Sequence, residues 1–239
     1  RYSAQGPASL PTVSVIIPTY NQAPFLRACL DSVWFQDYPE PIEIILVNDG
    51  ATDDTPQVID AFIRDLKEAE TSFASRYDEA ADSIERNRHP VYPPDNRSFR
   101  LLNHEGNKGL APALNTGFQA ATGTYCTYVP SDDYCFPHMI RTLARELDAG
   151  ADFVYSDMLI VNTRFEVQRR FSLPDYSFDV SFGDWYLCGV SKLYRSSLHQ
   201  ELGWYDESLL AHDHELYLRF AMAGKRMLHV PEALMALQD

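Results

Sequence analysis

Asp132 and Asp133 stand side by side just after the apolar run Tyr125-Cys126-Thr127-Tyr128-Val129, with Pro130-Ser131 between. Two carboxylates at such a point suit a hard divalent cation, Mg²⁺ or Mn²⁺, which takes one or two carboxylates and fills its shell with phosphate oxygens. A cation there neutralises the charge that builds on a departing diphosphate. Two more polar clusters close apolar runs in the same way, Thr19-Tyr20-Asn21 and Asn48-Asp49-Gly50, and Asp49 is an acceptor suited to the N–H of a base. Alone, an Asp-Gly pair is ordinarily a turn and an Asp-Asp pair a solvated loop. Three such endings on one rim make a site. Further along, Leu210-Ala211-His212-Asp213-His214-Glu215 puts Asp213 near a helix start, where its ordinary role is to complement the helix dipole for about 0.3–1 kcal/mol. The flanking histidines either shift its titration or are surface residues.

Those side chains need a scaffold that gathers strand ends. Val13-Ser14-Val15-Ile16-Ile17-Pro18 is a β-branched run closed by proline, and Ile42-Glu43-Ile44-Ile45-Leu46-Val47 is a second that stops on a strong turn signal; both read as buried strands. Between them Phe25, Leu26, Cys29, Leu30 and Val33 recur at helical spacing. Thr52-Asp53-Asp54-Thr55 supplies N-cap chemistry for a helix containing Val58, Ile59 and Phe62. Strand, helix, strand, helix implies an α/β fold with a parallel sheet and right-handed crossovers. Ligands of such sheets sit beyond the carboxyl ends of the strands, where strand order reverses.

Residues 65–97 break the rhythm. Charges, Ser and Ala dominate up to Arg88, and His89-Pro90-Val91-Tyr92-Pro93-Pro94 ends any helix. This insertion predicts an extra polar helix plus an irregular surface loop, not a separate domain. Residues 99–103, 125–129 and 153–155 then read as strands, 109–121, 138–147 and 209–222 as helices, and 227–230 as a closing strand. The apolar stretch 186–194 is expected to be buried.

The bulk composition narrows the function. A hydrophobic share of 45% argues for a folded chain, and a net charge of -14 is wrong for a nucleic-acid binder, which needs a basic footprint. Cys29, Cys126, Cys135 and Cys188 lack C-x-x-C or Cys/His metal spacing, as for small buried side chains in a reducing, cytoplasmic compartment. No apolar run approaches the roughly 18 residues of a bilayer span. The chain begins at Arg1 and stops after an apolar stretch, which reads as a piece of a longer protein whose other parts would carry any membrane association or partner domain.

In order along the chain, these segments resemble the family 2 glycosyltransferases with the GT-A fold, a Rossmann-like three-layer sandwich with a mostly parallel central sheet. Val15-Ile16-Ile17-Pro18-Thr19-Tyr20-Asn21 resembles that family's opening strand and nucleotide loop. Ile45 to Thr55 is similar to its V-D-D-G-S-x-D-x-T segment, and Asn107 to Gly117 to its N-x-G-x-x-x-A-x-N-x-G helix. Gly123-Thr124-Tyr125 into Ser131-Asp132-Asp133 resembles the strand leading to the metal aspartates, and Gly203-Trp204-Tyr205-Asp206-Glu207 with His212-Asp213 the segment carrying the catalytic base. The likeness runs from about residue 12 to 232 and identifies one catalytic domain over 1–239, with the polar insertion inside it.

The resemblance implies an inverting, metal-dependent transfer from a nucleoside-diphosphate sugar, UDP by default, to a hydroxyl of a glycan, lipid-linked or protein acceptor. Asp213 would be the general base. Asp49 would hold the nucleotide base, with Pro18, Thr19, Tyr20 and Asn21 around it. Lys108 and Ser131 would face the donor, and Asp132 and Asp133 would hold Mn²⁺ or Mg²⁺, with His229 a candidate to complete the shell. On the acceptor side stand Trp185, Trp204 and His212, with Tyr186 a further ring, although such aromatics are more often core. Two positions depart from the family: Pro130 replaces its first metal aspartate, and His212 the Glu before the base. No Q-x-x-R-W segment follows Asp213, and Gln168-Arg169-Arg170 lies before it, which favours transfer of single residues over polymer synthesis. Two rivals stay open. One is a non-catalytic nucleotide- or glycan-binding relative of the same fold. The other is a sugar-1-phosphate nucleotidyltransferase, which would need a Gly-rich, Arg/Lys-bearing loop where Pro18-Thr19-Tyr20-Asn21 stands.

Overall fold

A computed structural model describes residues 12–68, 72–89, 96–184 and 189–238. Its first half alternates as the hydrophobic pattern requires: β1 (Val13–Thr19), α1 (Ala23–Trp34), β2 (Ile42–Asn48), α2 (Thr55–Glu68), β5 (Arg97–Asn103), α3 (Leu110–Ala120) and β6 (Tyr125–Tyr128), with a hairpin of β3 (Ser72–Asp78) and β4 (Ser83–His89) inserted after α2. The second half holds β7 (Tyr134–Cys135), α4 (Met139–Asp148), β8 (Phe153–Val161), β9 (Val167–Phe171), α5 (Phe178–Gly183), β10 (Lys192–Arg195), α6 (Ser197–Leu202), α7 (His212–Met222) and β11 (Met227–Gln238).

One nine-stranded sheet organises the chain in the order β5-β2-β1-β6-β10-β8-β11-β7, with β9 added on β8. Six of the nine strands, β5, β2, β1, β6, β8 and β11, point one way, because β6 and β8 are both antiparallel to β10. The sheet is mostly parallel, as expected. From β1 the chain steps outward to β2 and β5, then returns over both to β6. Right-handed crossovers therefore put α3 on the face opposite α1 and α2, and the order reverses between β1 and β6. Every residue of β1 is buried, which is why this strand reads as a continuous apolar run. Gly117 lets α3 close on it: a Cβ there would stand 2.4 Å from Cγ2 of Ile16.

Residues 65–97 correct the sequence reading. The extra polar helix is instead the last turn of α2 followed by the β3–β4 hairpin, and residues 90–95 of the expected loop lie outside the described residues. Asp78 accepts the amides of Ala80 and Ala81 at the turn. Tyr77 and Ile84, cross-strand partners, pack on a small cluster with Phe136, Leu159 and Val161, and the Tyr77 ring stacks on Phe136 at 5.6 Å. An apolar pair on one face suffices for a hairpin laid against a neighbour, and the surrounding charges hide so short an alternation. At the other end β11 runs well past Val230. Pro231 cannot donate to a ladder, and a bulge between Val230 and Ala233 takes it out of register before pairing with β8 resumes. Among the described residues no helix is long and apolar enough to cross a membrane.

Candidate active site

A cavity of about 300 Å³ opens at the carboxyl ends of β1, β2 and β6, beside the point where strand order reverses. Pro18, Thr19, Tyr20, Asp49, Ser131 and Asp132, six of the residues singled out from the sequence, line it. Asn21 does other work. Its backbone is left-handed, with φ at 53°, and its Oδ1 accepts the amides of Thr52 and Asp53 at 2.8 and 3.3 Å, tying the first loop to the second. Lys108 is an exposed residue of the neighbouring loop, and its backbone, not its side chain, makes the observed contact with the site.

That contact is with Asp49. Oδ1 of Asp49 accepts the Lys108 amide at 2.9 Å and lies 2.6 Å from Nδ1 of His104, while Oδ2 accepts the Gly109 amide at 2.8 Å. A carboxylate offers about four acceptor positions, so one on Oδ2 is left for a ligand in the cavity. The same loop presses on Gly50, whose φ is 70°; a Cβ there would sit 2.5 Å from Cα of Gly106. Asp49 thus both braces the wall and presents an acceptor through it. His104, held on its other nitrogen by Thr116 at 2.9 Å, escaped the sequence reading because nothing in its spacing ties it to Asp49.

The adjacent aspartates part company. Asp132 faces the cavity, and its Oδ2 accepts Nε2 of Gln22 at 3.3 Å. Asp133 is only 5% exposed and turns toward β11, where Oδ1 accepts the amide of Gln238 at 3.1 Å. Burial, then the charge of Asp132, pushes the Asp133 carboxyl up to about 8. The pair expected to hold a metal together is therefore split in this structure: a turn closed by the Asp133 amide on the Pro130 carbonyl at 3.1 Å separates them from β6, and Asp133 leads directly into β7, which pairs with β11. Among the described residues no group of three His, Cys, Asp or Glu side chains is placed to hold a metal ion. One carboxylate on the cavity wall, Asp132, is still a donor that fits Mg²⁺ or Mn²⁺, which are commonly held by one or two carboxylates and completed by ligand oxygens. His229 is committed elsewhere: its two ring nitrogens meet Asp157 at 2.9 Å and Asp175 at 3.1 Å. Burial works against the Asp157 charge, yet the Leu173 amide, His229 and Arg170 outweigh it and lower the carboxyl below its ordinary value.

Asp213 lies in the first turn of α7. Its Oδ2 accepts the hydroxyl of Tyr128 at 2.6 Å, and Tyr128 in turn lines the cavity. Oδ1 of Asp213 is buried with no hydrogen-bond partner, as are Nε2 of His212 and Oγ1 of Thr19. A buried polar atom left unpaired costs about 1–3 kcal/mol, and groups in that state point to a missing partner. Thr19 belongs to the cavity wall itself, and Asp213 is tied to that wall through Tyr128.

The approach to α7 is fixed by Asn115 on α3. Its side chain accepts the Tyr205 amide at 3.0 Å and donates to the Tyr205 carbonyl at 3.0 Å and to Glu207 at 2.8 Å. Two segments that resemble separate family motifs are thus one structural clamp. Asn115→Ala leaves the Tyr205 groups buried and unpaired, an expected cost of about 1–3 kcal/mol, read as a melting temperature lower by about 3–10 °C. Trp204 lays its ring on His199, centroids 4.8 Å apart and 12° from parallel, and Trp185, Tyr186 and Cys188 lie outside the described residues. Sequence reading also passed over Lys192. This fully buried lysine on β10 donates to the Gly189 carbonyl at 3.1 Å and holds its ammonium 4.3 Å from the Tyr128 ring centre. A charged residue inside the apolar run Val190 to Tyr194 was the available signal.

Comparison with known proteins gives the family and the fold. The family model described as glycosyl transferase family 2 matches residues 14–72 and 75–203. The chain is 30% identical over 228 residues to the uncharacterized glycosyltransferase YwdF of Bacillus subtilis, covering 92% of this chain and 71% of that protein. It is 34% identical over 140 residues to the uncharacterized glycosyltransferase EpsJ of the same organism, covering 58% of this chain but 31% of that protein; the chain spans about a third of the length of the first such relatives. Among solved structures, S. aureus TarS 1–349 in complex with UDP-GlcNAc superimposes with a TM-score of 0.70 at 20% identity, covering 95% of this chain and 58% of that one. The mannosyltransferase PcManGT from Pyrobaculum calidifontis, in complex with GDP-Man and Mn²⁺, gives a TM-score of 0.61 at 21% identity, covering 95% of this chain and 56% of that one. At these identities the solved structures speak for the fold.

Proposed function

The chain belongs to glycosyl transferase family 2, and from that premise we propose an inverting, metal-dependent transfer of one sugar from a UDP-sugar to an acceptor hydroxyl of a growing glycan, lipid-linked or protein substrate. The observation that carries this reading is the unpaired Oδ1 of Asp213, held beside the cavity by Tyr128. The nucleotide base occupies the side of Asp49 and Thr19, where one acceptor position on Oδ2 and an unpaired hydroxyl await partners. The diphosphate lies toward Ser131 and Asp132. A divalent cation held there by Asp132 would neutralise the diphosphate as it leaves.

The acceptor oxygen attacks the anomeric carbon from the face opposite the diphosphate. The bond from that carbon to the diphosphate oxygen breaks with its electron pair, and the acceptor proton passes to Asp213. His212, next to Asp213 in the first turn of α7, is assigned to the acceptor side, and its Nε2 has no hydrogen-bond partner.

A panel of nucleotide sugars with Mn²⁺, read by thermal shift, tests the donor, since a ligand that binds the folded state raises the melting temperature by mass action. No shift with any nucleoside diphosphate, with or without metal, would sink the reading. Asp132→Asn is expected to raise the Mn²⁺ concentration needed for half-maximal UDP protection by about tenfold, the loss of roughly 1.4 kcal/mol from a ligand set with few protein groups. Asp133→Asn, whose side chain faces β11, is expected to change that concentration by less than about twofold.

A further inference from the structure

We infer that Tyr128, backed by Lys192, is the positioning residue for Asp213: its phenol fixes Oδ2, so that Oδ1 is the oxygen that takes the acceptor proton. This rests on the base reading above and adds to it a residue and an atom. β6 and β10 pair antiparallel, with Tyr194 opposite Cys126, which carries Tyr128 and Lys192 to the same end of the two strands. A phenylalanine would fill the ring space of Tyr128 equally well. The hydroxyl adds a 2.6 Å bond to a carboxylate, within the range of short charge-assisted bonds.

Lys192 strengthens that donor. Its ammonium lies 4.3 Å from the ring centre of Tyr128 and 4.8 Å from that of Tyr217, and the residue is fully buried. A cation over a phenol draws electron density from the ring and makes the hydroxyl a better donor, most effectively where water is excluded. Tyr217 is itself bonded through its hydroxyl to Tyr205 at 2.8 Å, the residue that Asn115 clamps. The support of the base thus runs from three elements at once, β6, β10 and α7. A carboxylate pinned on one oxygen has little freedom to turn, so its second oxygen meets the acceptor in one orientation, and no proton transfer from Tyr128 is needed.

The test measures release of UDP or GDP with Mn²⁺ from UDP-GlcNAc, UDP-glucose, UDP-galactose and GDP-mannose, with water or added sugar as acceptor, on the donor giving the largest thermal shift. Tyr128→Phe is expected to lower kcat by about 10- to 100-fold, the worth of a hydrogen bond to a charged group, with KM for the donor within about twofold. Lys192→Met is expected to lower kcat by a smaller factor, about 3- to 10-fold, in line with a buried cation over a ring. In an Asp213→Asn background, Tyr128→Phe is expected to change the residual rate by less than about twofold, because the two act as one unit. A parental kcat in Tyr128→Phe, or an equal fall with and without Asp213, overturns this inference and leaves the base reading standing. Full activity in Asp213→Asn, or no release from any donor by the parent, overturns the base reading and this inference with it.

Discussion

Asp213→Asn is expected to lower turnover by about 10²- to 10⁴-fold, the usual worth of a positioned general base, while UDP binds within about twofold of the parent. The split follows from where the atoms lie. The cavity that would take the nucleotide is lined by Thr19, Asp49, Ser131 and Asp132, and Asp213 meets it only through the hydroxyl of Tyr128. An amide keeps the shape of the carboxylate and can accept the Tyr128 hydroxyl through its oxygen, but its nitrogen then stands where a proton acceptor is required. Folding is not expected to suffer, because Oδ1 has no partner to lose; the variant exchanges a buried unpaired carboxylate oxygen for a neutral group, and its melting temperature is expected at or above that of the parent. Steady-state rates set beside calorimetric UDP affinity decide the matter. A loss of UDP binding parallel to the loss of rate would place Asp213 in the donor pocket instead.

How far the sequence foretold this depends on the physics that each feature obeys. The strands β1, β2 and β6 are buried on both faces, so their apolar runs and the polar residues that end them are visible without coordinates. Their endings do meet at one cavity, as the topology of a reversing parallel sheet demands. What local pattern cannot carry is the direction of a side chain just past a strand end. Asp132 and Asp133 look alike in sequence, and only the Gln238 amide on a strand from the far end of the chain shows that one of them faces away from the cavity. The same limit hid His104 and Lys192, each meaningful through a partner tens of residues away. The hairpin was missed for a different reason. Its structure-forming content is a Tyr77–Ile84 pair that needs Phe136 to be worth burying, and a tertiary surface cannot be read from the polar stretch that lies on it.

His199 carries the second large effect, and it concerns stability. The residue is 3% exposed, with Nδ1 at 3.3 Å from the Gly203 carbonyl and Nε2 at 3.1 Å from the Tyr194 hydroxyl. A neutral ring with its proton on Nδ1 satisfies both, donating to the carbonyl and accepting from the phenol. Burial holds the imidazole down to about 4, with the Gly203 carbonyl opposing and the nearby Arg219 charge adding to the fall. The unfolded chain binds that proton near pH 6.5 and the folded chain does not, so its contribution to stability is intact above about 6.5 and declines as pH falls toward about 4. Between pH 7.5 and 4.5 the decline is expected to be about 2–3 kcal/mol, from roughly two pKa units at 1.36 kcal/mol each. His199→Phe keeps a ring against Phe118 and Trp204, whose centroids lie 4.6 and 4.8 Å away, and gives up the two polar contacts at every pH. Its urea stability should therefore start lower than the parent's at neutral pH and lose less on acidification, so that the difference between the two proteins narrows. A constant difference across that range would mean that His199 takes up its proton in the folded protein as readily as in the unfolded chain, which would overturn the neutral, buried imidazole described here.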